Sequence, residues 1–552
     1  MDYFDLGPYS RRITTVSEDA QLWFDRGLNW LYCYNHAEAT ACFQRAIEAD
    51  PTCAMAHWGA AYALGPNYNL PWHLYDPKGR AAALGAAYDA LQGALEQASN
   101  ASSAEAALIE ALEARYPQRE PIDDMMPWNR AFTAQMRSVF EANRDDPDVR
   151  TVFVESIMNE TPWKMWDLET GGVAEDAGTE EARTVLEAAF DGLPGAWDHP
   201  GLLHLYVHLM EMSPFPEKAL RQSDRLRTIM PDGGHLIHMP THIDVQCGYY
   251  RDTLVYNQKA LAADRKFLAY AKSPGVYFVY VIHNFHFAIY GAMFLGQYGP
   301  AMAAAEELIA TVPEDLLRVE SPPMGDFLEG YLAMKQHVMV RFGRWQEIID
   351  QDLPKDPDLY CATTAMMLYA KTVAHSALGN IAEAEAHKAH FIEAKGRVSE
   401  GRRVHNNTVT DLLEVAEAML EGELEYRKGN YGAAYDHLRR SVALDDALPY
   451  DEPWGWMQPA RHALGALLLE QGHIDEAEAI YRADLGLDSS LSRARQHMEN
   501  VWSLHGLHEC LVMRGATAEA AMIRQRFELA QARADVPIKA SCFCRQVAMA
   551  AE

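Results

Sequence analysis

The residues best suited to chemistry are histidines, and several crowd into one short stretch, HLIHMPTHID at residues 235–244. Neutral imidazole is a common ligand for copper, zinc and iron in proteins. Two histidines four residues apart on a helix lie one turn apart, about 6 Å along the axis, which suits chelation of one ion. His238 and His242 have this spacing, and so do His204 and His208 upstream. The pattern predicts a metal site.

The spacing also indicates how many ions such residues serve. His204 and Glu211 lie nearly two helical turns apart, about 10.5 Å, which is long for one shared ion. If all these residues bind metal, two ions are more economical than one. Pro240 stands between His238 and His242, where it must begin a helix or kink one. We therefore expect the first pair to chelate better than the second.

Composition restricts what the rest of the chain can be. The 552 residues carry a net charge of -30 with a pI near 5.1, which argues against a nucleic-acid partner because phosphate binding needs a basic surface. Neither a signal peptide nor an apolar run of about 18 residues is visible, so we expect a cytoplasmic protein without membrane contact. Cys542 and Cys544 form a close pair in SCFCRQ. For them we favour a plain tail over a labile thiol or metal-trafficking role.

The helices that must position the histidines are indicated by WFDRGLNWLYCYNHAEATACFQRAIEADP, residues 23–51. The positions typical of a 34-residue helical hairpin are filled by Trp23, Gly27, Trp30, Ala39, Phe43, Ala46 and Pro51, with Arg26 in place of the usual leucine. The segment resembles a tetratricopeptide repeat, most closely over residues 20–53. Small residues at these positions let two antiparallel helices approach, and the aromatic residues fill the gap between them.

Weaker copies of the turn recur along the chain. The small or aliphatic residue that follows each turn is Ala219, Thr253, Ala301, Ile348, Ala384, Ala434, Ala477 or Ala520. We predict an all-α, tetratricopeptide-like α-α superhelix (solenoid) without strands. Its regions are an N-terminal helical region at 1–199, histidine-bearing central repeats at 200–345, C-terminal repeats at 346–535 and a tail at 536–552.

The histidines follow this repeat. When the residue after each turn is numbered 20, His204, His238 and His286 fall at position 5 of three successive units. The neighbouring positions 2, 9 and 12 complete a stripe roughly 120° from the core-facing positions. These are the positions that line the concave groove in tetratricopeptide proteins and hold ligands there, so the resemblance implies a shared groove. The predicted metal ligands are His204, His208, Glu211, His235, His238, His242, His283 and His286.

The identity of the metal stays open at this point. Six histidines from three helices would serve a coupled copper pair, whereas two histidines with Glu211 would serve a single non-haem iron or a zinc. Copper or iron is favoured and zinc is compatible. The alternative is that these are ordinary solvated or hydrogen-bonded groove histidines that repeat duplication has copied.

A substrate would need further residues near the histidines. Candidates for substrate contact are Tyr290, His337, Glu155, Glu452, Arg461, His462 and His505. Phosphate-binding loops, dinucleotide fingerprints, serine elbows and the H-E-x-x-H motif are absent from the sequence. We therefore expect a metal-dependent, oxygen-activating enzyme acting on a small organic substrate. The alternatives are a non-catalytic scaffold whose groove binds a peptide or protein partner, and a metal storage or delivery protein.

Overall fold

The computed structural model describes residues 3–271 and 275–545, and almost all of their regular structure is α-helical. The helices are α1 Glu18–Tyr32, α2 His36–Ala49, α3 Ala54–Leu64, α4 Pro77–Gln97, α5 Ser103–Arg115, α6 Met126–Ala142, α7 Pro147–Met158, α8 Thr179–Gly192, α9 Pro200–Met210, α10 Leu220–Leu226, α11 Gly234–His238, α12 Pro240–Gln246, α13 Tyr250–Tyr270, α14 Tyr277–Phe294, α15 Tyr298–Thr311, α16 Glu314–Leu317, α17 Met324–Leu328, α18 Met334–Arg341, α19 Trp345–Ile349, α20 Cys361–Ala377, α21 Ile381–Lys395, α22 Val409–Arg427, α23 Tyr431–Asp446, α24 Ala460–Glu470, α25 Ile474–Asp484, α26 Val501–Met513 and α27 Thr517–Gln531.

One detail differs from the sequence expectation, which had no strands. Two short strands, β1 Arg403–Val404 and β2 Asn407–Thr408, pair antiparallel. The residues between them form a tight turn in which His405 has a φ of 49°. A two-residue strand is too short to show alternation of apolar and polar side chains, so the sequence pattern could not reveal it.

The chain divides into two compact units. Unit 1 consists of Met1–Ile243 and Gln258–Val281, and unit 2 of Asp244–Asn257 and Ile282–Glu552. In unit 1, α1 packs on α2, α2 on α3 and α3 on α4, followed by α5 on α6 and α6 on α7. In unit 2, α20 packs on α21, α22 on α23, α24 on α25 and α26 on α27. The division into four regions remains a prediction.

The helical hairpins follow the predicted repeat register, which confirms the tetratricopeptide-like all-α fold. Apart from Ala219, which ends a short 3-10 turn just before α10, each residue placed after a turn is the fourth residue of the second helix of its hairpin, as for Ala39 in α2, Ala301 in α15 and Ala434 in α23. These three alanines are completely buried. A methyl group at this position lets the two helices of a hairpin approach closely, so the register is set by packing.

Glycines make the turns before these second helices possible. Gly296, Gly343, Gly429 and others at the same repeat position have positive φ values, between 61° and 83° for these three. Residues with a Cβ atom rarely adopt this conformation, whereas glycine does so without steric cost.

Helices that could span a membrane are not found among the described residues.

Candidate metal centre

The first two histidines lie on α9, a helix that is buried on all sides. Its sequence, PGLLHLYVHLM, is apolar around the whole circumference, and every residue of the helix is buried. Pro200 occupies the first turn, where its missing N–H costs nothing. The side chain of His199 caps the helix by accepting a hydrogen bond from the backbone N–H of Leu202 at 3.1 Å. Burial of the entire helix carries His204 and His208 into the interior of unit 1, away from solvent.

Helix α11 brings a third histidine to the same place. The Nε2 atoms of His204 and His235 face each other at 3.2 Å. One ligand atom from each of His204, His208 and His235 lies within 4.8 Å of the others. Two nitrogens bound to one ion at about 2.0–2.1 Å are separated by about 2.9–3.4 Å in octahedral or tetrahedral geometry. The 3.2 Å between the two Nε2 atoms falls within this range, and it also suits a single N–H···N hydrogen bond between the rings.

The orientation of His204 is fixed by the first hairpin. Its Nδ1–H donates to the backbone carbonyl of Tyr32, the last residue of α1, at 2.8 Å. This hydrogen bond places the ring's proton on Nδ1 and its lone pair on Nε2, the tautomer that a metal-binding histidine needs. Burial lowers the pKa of His204 to about 3, so its imidazole is neutral at pH 7.

Glu211 links two of the histidines. Its carboxylate accepts from Nδ1 of His208 at 3.1 Å with one oxygen and from Nδ1 of His242 with the other. All three side chains are fully or almost fully buried. A carboxylate that accepts from Nδ1 orients the ring and makes Nε2 a better ligand. Glu211 is placed to act in this way on two imidazoles at once, and whether it also ligates remains a prediction.

The break at Pro240 does not separate the second histidine pair. Helix α11 ends at His238 and α12 begins at Pro240, so the proline starts a new helix, one of the two outcomes expected for it. The Nε2 atoms of His238 and His242 lie 2.7 Å apart, and their ring centroids are 4.7 Å apart. The centroids of His204 and His208 are 4.8 Å apart. The second pair is therefore as close as the first, and the weaker chelation expected of it stays a prediction.

Tyr34 covers the histidines and has an unusual backbone. It lies in the turn before α2, at the repeat position where other hairpins have a positive-φ glycine, and its own φ is 54°. This conformation costs a residue with a side chain about 1 kcal/mol or more. The Tyr34 ring stacks on His208 and His235 at centroid distances of 6.0 and 5.6 Å, and lies 4.5 Å from His204. Sequence reasoning missed Tyr34, although its place in the turn was a usable signal.

Further aromatic residues and one carboxylate surround this cluster. Tyr68 lies 4.7 Å from His208 between ring centroids. The hydroxyl of Tyr62 donates to Glu155 at 2.6 Å, and Tyr34 is also close to this carboxylate. Burial raises the pKa of Glu155. Glu155, a predicted substrate contact, is therefore in contact with Tyr62 and Tyr34 of the same unit, and its role towards a substrate stays a prediction.

The remaining predicted site residues belong to unit 2, where they contact other residues of the same unit. Nε2 of His286 lies 2.9 Å from the sulfur of Met457, and the rings of His283 and His405 are 5.5 Å apart. His337 packs edge-on against Trp456, and Tyr290 stacks on Phe294. Glu452 is buried with a backbone N–H that donates to Asp451.

Three predicted substrate contacts remain, His462, Arg461 and His505, and the first two share Asp484 as a partner, at 2.8 and 3.8 Å. His462 contacts the buried carboxylate of Asp484 at 2.8 Å through Nε2 and accepts from Arg341 through Nδ1. Arg461 forms an ion pair with Asp446. His505 lies against Phe527, with Nδ1 at 4.0 Å from Glu509. His462 is therefore part of a hydrogen-bonded network whose other members, Asp484 and Arg341, sequence reasoning did not single out.

No protein-family model and no curated protein matches this chain. Solved structures similar to it include the Naa15/Naa10 complex bound to HypK-THB, at 12% identity over 93% of this chain and 70% of that chain with a TM-score of 0.22. A monomeric mutant of IFIT1 with Gppp-AAAA is 11% identical over 86% of this chain and 90% of that chain, with a TM-score of 0.34. Yeast Tom70 is 12% identical over 93% of this chain and 90% of that chain, with a TM-score of 0.27. At this level of identity the likeness concerns fold alone.

Proposed function

We propose that unit 1 binds a transition metal ion through His204, His208 and His235, and that the chain is a metal-dependent redox enzyme. The proposal is carried by the 3.2 Å separation of the His204 and His235 Nε2 atoms inside a buried cluster. Two buried imidazole nitrogens that face each other can share one proton or one metal ion, and the approach of a third histidine, His208, favours the ion.

The ligand set favours some metals over others. Three imidazoles in a buried aromatic surrounding suit copper, iron or zinc, whereas a hard cation such as Mg²⁺ would prefer oxygen ligands. Three protein ligands leave a coordination position for a substrate or water, as in catalytic rather than structural sites. Tyr34 and Tyr68 would supply an apolar wall for a small organic substrate, and the ion would supply redox or Lewis-acid chemistry.

A second ion is supported by His238 and His242. Their Nε2 atoms are 2.7 Å apart, so the two rings would separate slightly to share a cation, and Glu211 connects His242 to His208 of the first group. Glu211 would then orient one ligand of each ion. We therefore propose a dinuclear centre, in which the first group of three histidines binds one ion and His238 and His242 bind the other.

The burial of the ligands separates this proposal from a storage or delivery function. Such a function requires metal that exchanges easily, and His204, His208 and His235 are at most 1% exposed. A scaffold without metal, in contrast, would need no opposed imidazoles. We therefore place catalysis first, delivery second and a metal-free scaffold last.

Metal analysis of the full chain, purified without an affinity tag, tests the proposal. We expect at least one equivalent of copper, iron or zinc per chain, and loss of that metal in His204→Ala. His437→Ala, which changes a histidine of α23 in unit 2, is the matched control and should retain the metal. Less than about a tenth of an equivalent in the wild type, with no gain after incubation with these metals, would rule out the metal site.

The enzymatic part has its own test. We would measure dioxygen consumption with reducing organic substrates for the wild type and His204→Ala. If the wild type binds metal tightly but the two rates are equal, the proposal of redox catalysis is wrong, and the chain is a non-catalytic metal-binding protein.

A further inference from the structure

The C-terminal segment, residues 533–545, is bound to unit 2 in the manner of a peptide ligand. From residue 534 onward it forms neither helix nor strand. Nevertheless Ile538, Ala540, Ser541 and Cys544 are at most 4% exposed. The sequence favoured a plain tail here, so the extent of burial is unexpected and calls for a physical reason.

The first part of the segment caps a helix. The carboxylate of Asp535 accepts from the backbone N–H groups of Tyr298 and Gly299, at 2.6 and 2.8 Å. These amides lie in the first turn of α15, whose own N-cap residue Gln297 provides no side-chain cap. The backbone N–H of Asp535 also donates to the carbonyl of Gly296 at 3.2 Å. A carboxylate at this place compensates the positive end of the helix dipole.

The middle of the segment supplies acceptors to a buried cation. The carbonyl of Ser541 accepts from Arg341 at 3.2 Å, and the Ser541 hydroxyl is 2.5 Å from the hydroxyl of Tyr481. Arg341 is almost completely buried and stacks on Trp502 at 3.7 Å. Burial lowers the pKa of Arg341, which shows how costly its desolvation is. A buried guanidinium needs acceptors, and the segment provides one of them.

The end of the segment is held by side chains and by its backbone. Phe543 packs edge-on against Trp502 with ring centroids 5.7 Å apart. The carbonyl of Cys544 accepts from Arg427. Arg545 forms two hydrogen bonds with the carboxylate of Glu509, at 2.7 and 2.8 Å. Between these contacts, a disulfide joins Cys542 to Cys544 and closes a small ring.

We propose that unit 2 carries a peptide-binding seat, which the chain fills with its own C-terminal segment for as long as the Cys542–Cys544 ring is closed. The seat consists of Arg341, Arg427, Tyr481, Trp502, Glu509 and the first turn of α15. It recognises an acidic residue, a hydroxyl residue, an aromatic residue two positions later and an arginine two positions after that. An extended segment of a partner with this chemistry fits the seat once the C-terminal segment has left it.

The ring matters because it limits the backbone freedom of residues 542–544. Opening it returns conformational freedom to the released segment, which we expect to weaken its binding about tenfold. The release is a thiol–disulfide exchange with a dithiol reductant. One thiolate of the dithiol attacks the sulfur of Cys542, the more exposed residue of the pair, and Cys544 leaves as a thiolate that takes up a proton. The second thiol of the reductant then displaces the Cys542 thiol, so that two electrons reduce the ring and the dithiol becomes a disulfide.

Hydrogen exchange of the full chain tests the switch. We expect the amides of residues 538–545 to exchange about tenfold faster after addition of a dithiol, because the segment leaves the seat more often. The amides of α1 and α2 serve as an internal control, since the cysteines at this hairpin are buried free thiols. The double variant Cys542→Ser, Cys544→Ser should exchange as the reduced chain does and should not respond to the dithiol. Unchanged protection after complete reduction, verified by thiol labelling of both cysteines, would overturn the proposal.

The seat itself is tested with a labelled synthetic peptide of residues 533–545 in the ring-closed form. We expect it to bind the full-length double serine variant at least about tenfold more tightly than the oxidised wild type, whose seat is filled. Replacement of Glu509 by Arg in that variant should abolish binding, and a peptide with Glu in place of Arg545 should restore it. Equal binding to both chains, or binding to neither, contradicts a peptide seat.

Discussion

Nδ1 of His204 donates a hydrogen bond to the backbone carbonyl of Tyr32 at 2.8 Å, which joins the histidine helix α9 to the first hairpin. The phenol of the same Tyr32 donates to Asp148 at 2.5 Å. The amino-terminal hairpin, which carries the closest resemblance to a tetratricopeptide repeat, is therefore also what orients a candidate metal ligand. Tyr32 thus links the packing of the first hairpin, through Asp148, to the orientation of His204.

Asp148 is the carboxylate that holds Tyr32 in place, and the first prediction concerns its replacement by Asn. Its carboxylate also accepts from Tyr9 and Arg11, both at 2.8 Å, and contacts His199 at 3.2 Å. An amide accepts with one oxygen only and leaves Arg11 with less compensation. Asp148→Asn should therefore lower the free energy of unfolding by about 2–4 kcal/mol, measured by urea denaturation.

The same variant should also weaken metal binding, because Tyr32 no longer has a fixed position. Asp198→Asn removes an exposed carboxylate that pairs with Arg225 and is the matched control. It should change the free energy of unfolding by less than about 0.5 kcal/mol. If Asp148→Asn is as stable as this control, Asp148 is not the hub that the hydrogen bonds indicate.

Glu211→Gln tests whether Glu211 acts by orienting imidazoles. The amide oxygen of Gln can accept from His208 or from His242 but not equally from both, and its NH₂ group cannot accept. We expect the affinity for metal to fall about 10–100-fold and the absorption or paramagnetic-resonance spectrum of the bound ion to change. Glu211→Asp should recover part of both effects, which a loss of packing alone would not produce. Glu180→Gln, on the exposed side of α8, should bind metal as the wild type does.

The sequence was sufficient for the repeat architecture because the repeat is a local property. A small residue after each turn and a glycine before it reflect the packing of two neighbouring helices, so Ala301 and Gly296 could be placed by inspection. The histidine stripe followed from the same register. The expectation that ligands from three hairpins converge stays a prediction, and within unit 1 one ligand atom from each of His204, His208 and His235 lies within 4.8 Å of the others.

What the sequence could not provide were contacts between distant segments. The hydrogen bond between His204 and Tyr32 joins residues 172 positions apart, and no periodicity carries that information. The repeat register predicts solvent exposure for the groove positions of α9, because a groove position in a repeat protein is normally exposed, whereas every residue of α9 is buried. The contacts of the C-terminal segment with Arg341 and Trp502 also depend on the tertiary fold, so the sequence alone predicts only a plain tail there.

The pH dependence of stability supplies a further prediction through His337. This side chain is 2% exposed, and burial lowers its pKa to about 3, against 6.5 in the unfolded chain. The unfolded chain therefore binds a proton between pH 6.5 and 3 that the folded chain does not, so the stability present above pH 6.5 is lost as the pH falls. For this one group the loss between pH 7 and pH 5 is about 2 kcal/mol. His337→Leu should show a smaller loss by that amount in urea denaturation at the two pH values. Equal pH dependence of the variant and the wild type would show that His337 is accessible to protons when folded.

The close approach of helices in the first hairpin can be tested with a pair of glycine replacements. A Cβ atom on Gly27 would lie 2.7 Å from the ring of Phe43, which is buried and cannot move away. Gly27→Ala should therefore destabilise the chain by about 1–3 kcal/mol through overpacking. A Cβ atom on Gly432, in α23, would have nothing within 4 Å of it. Gly432→Ala should therefore raise the free energy of unfolding by about 0.4–1 kcal/mol, because alanine favours the helix more than glycine does. Urea denaturation of both variants measures the difference in sign. If Gly27→Ala is neutral, the aromatic ring is not the spacer between the helices, and the resemblance of this hairpin to a tetratricopeptide repeat does not extend to its packing.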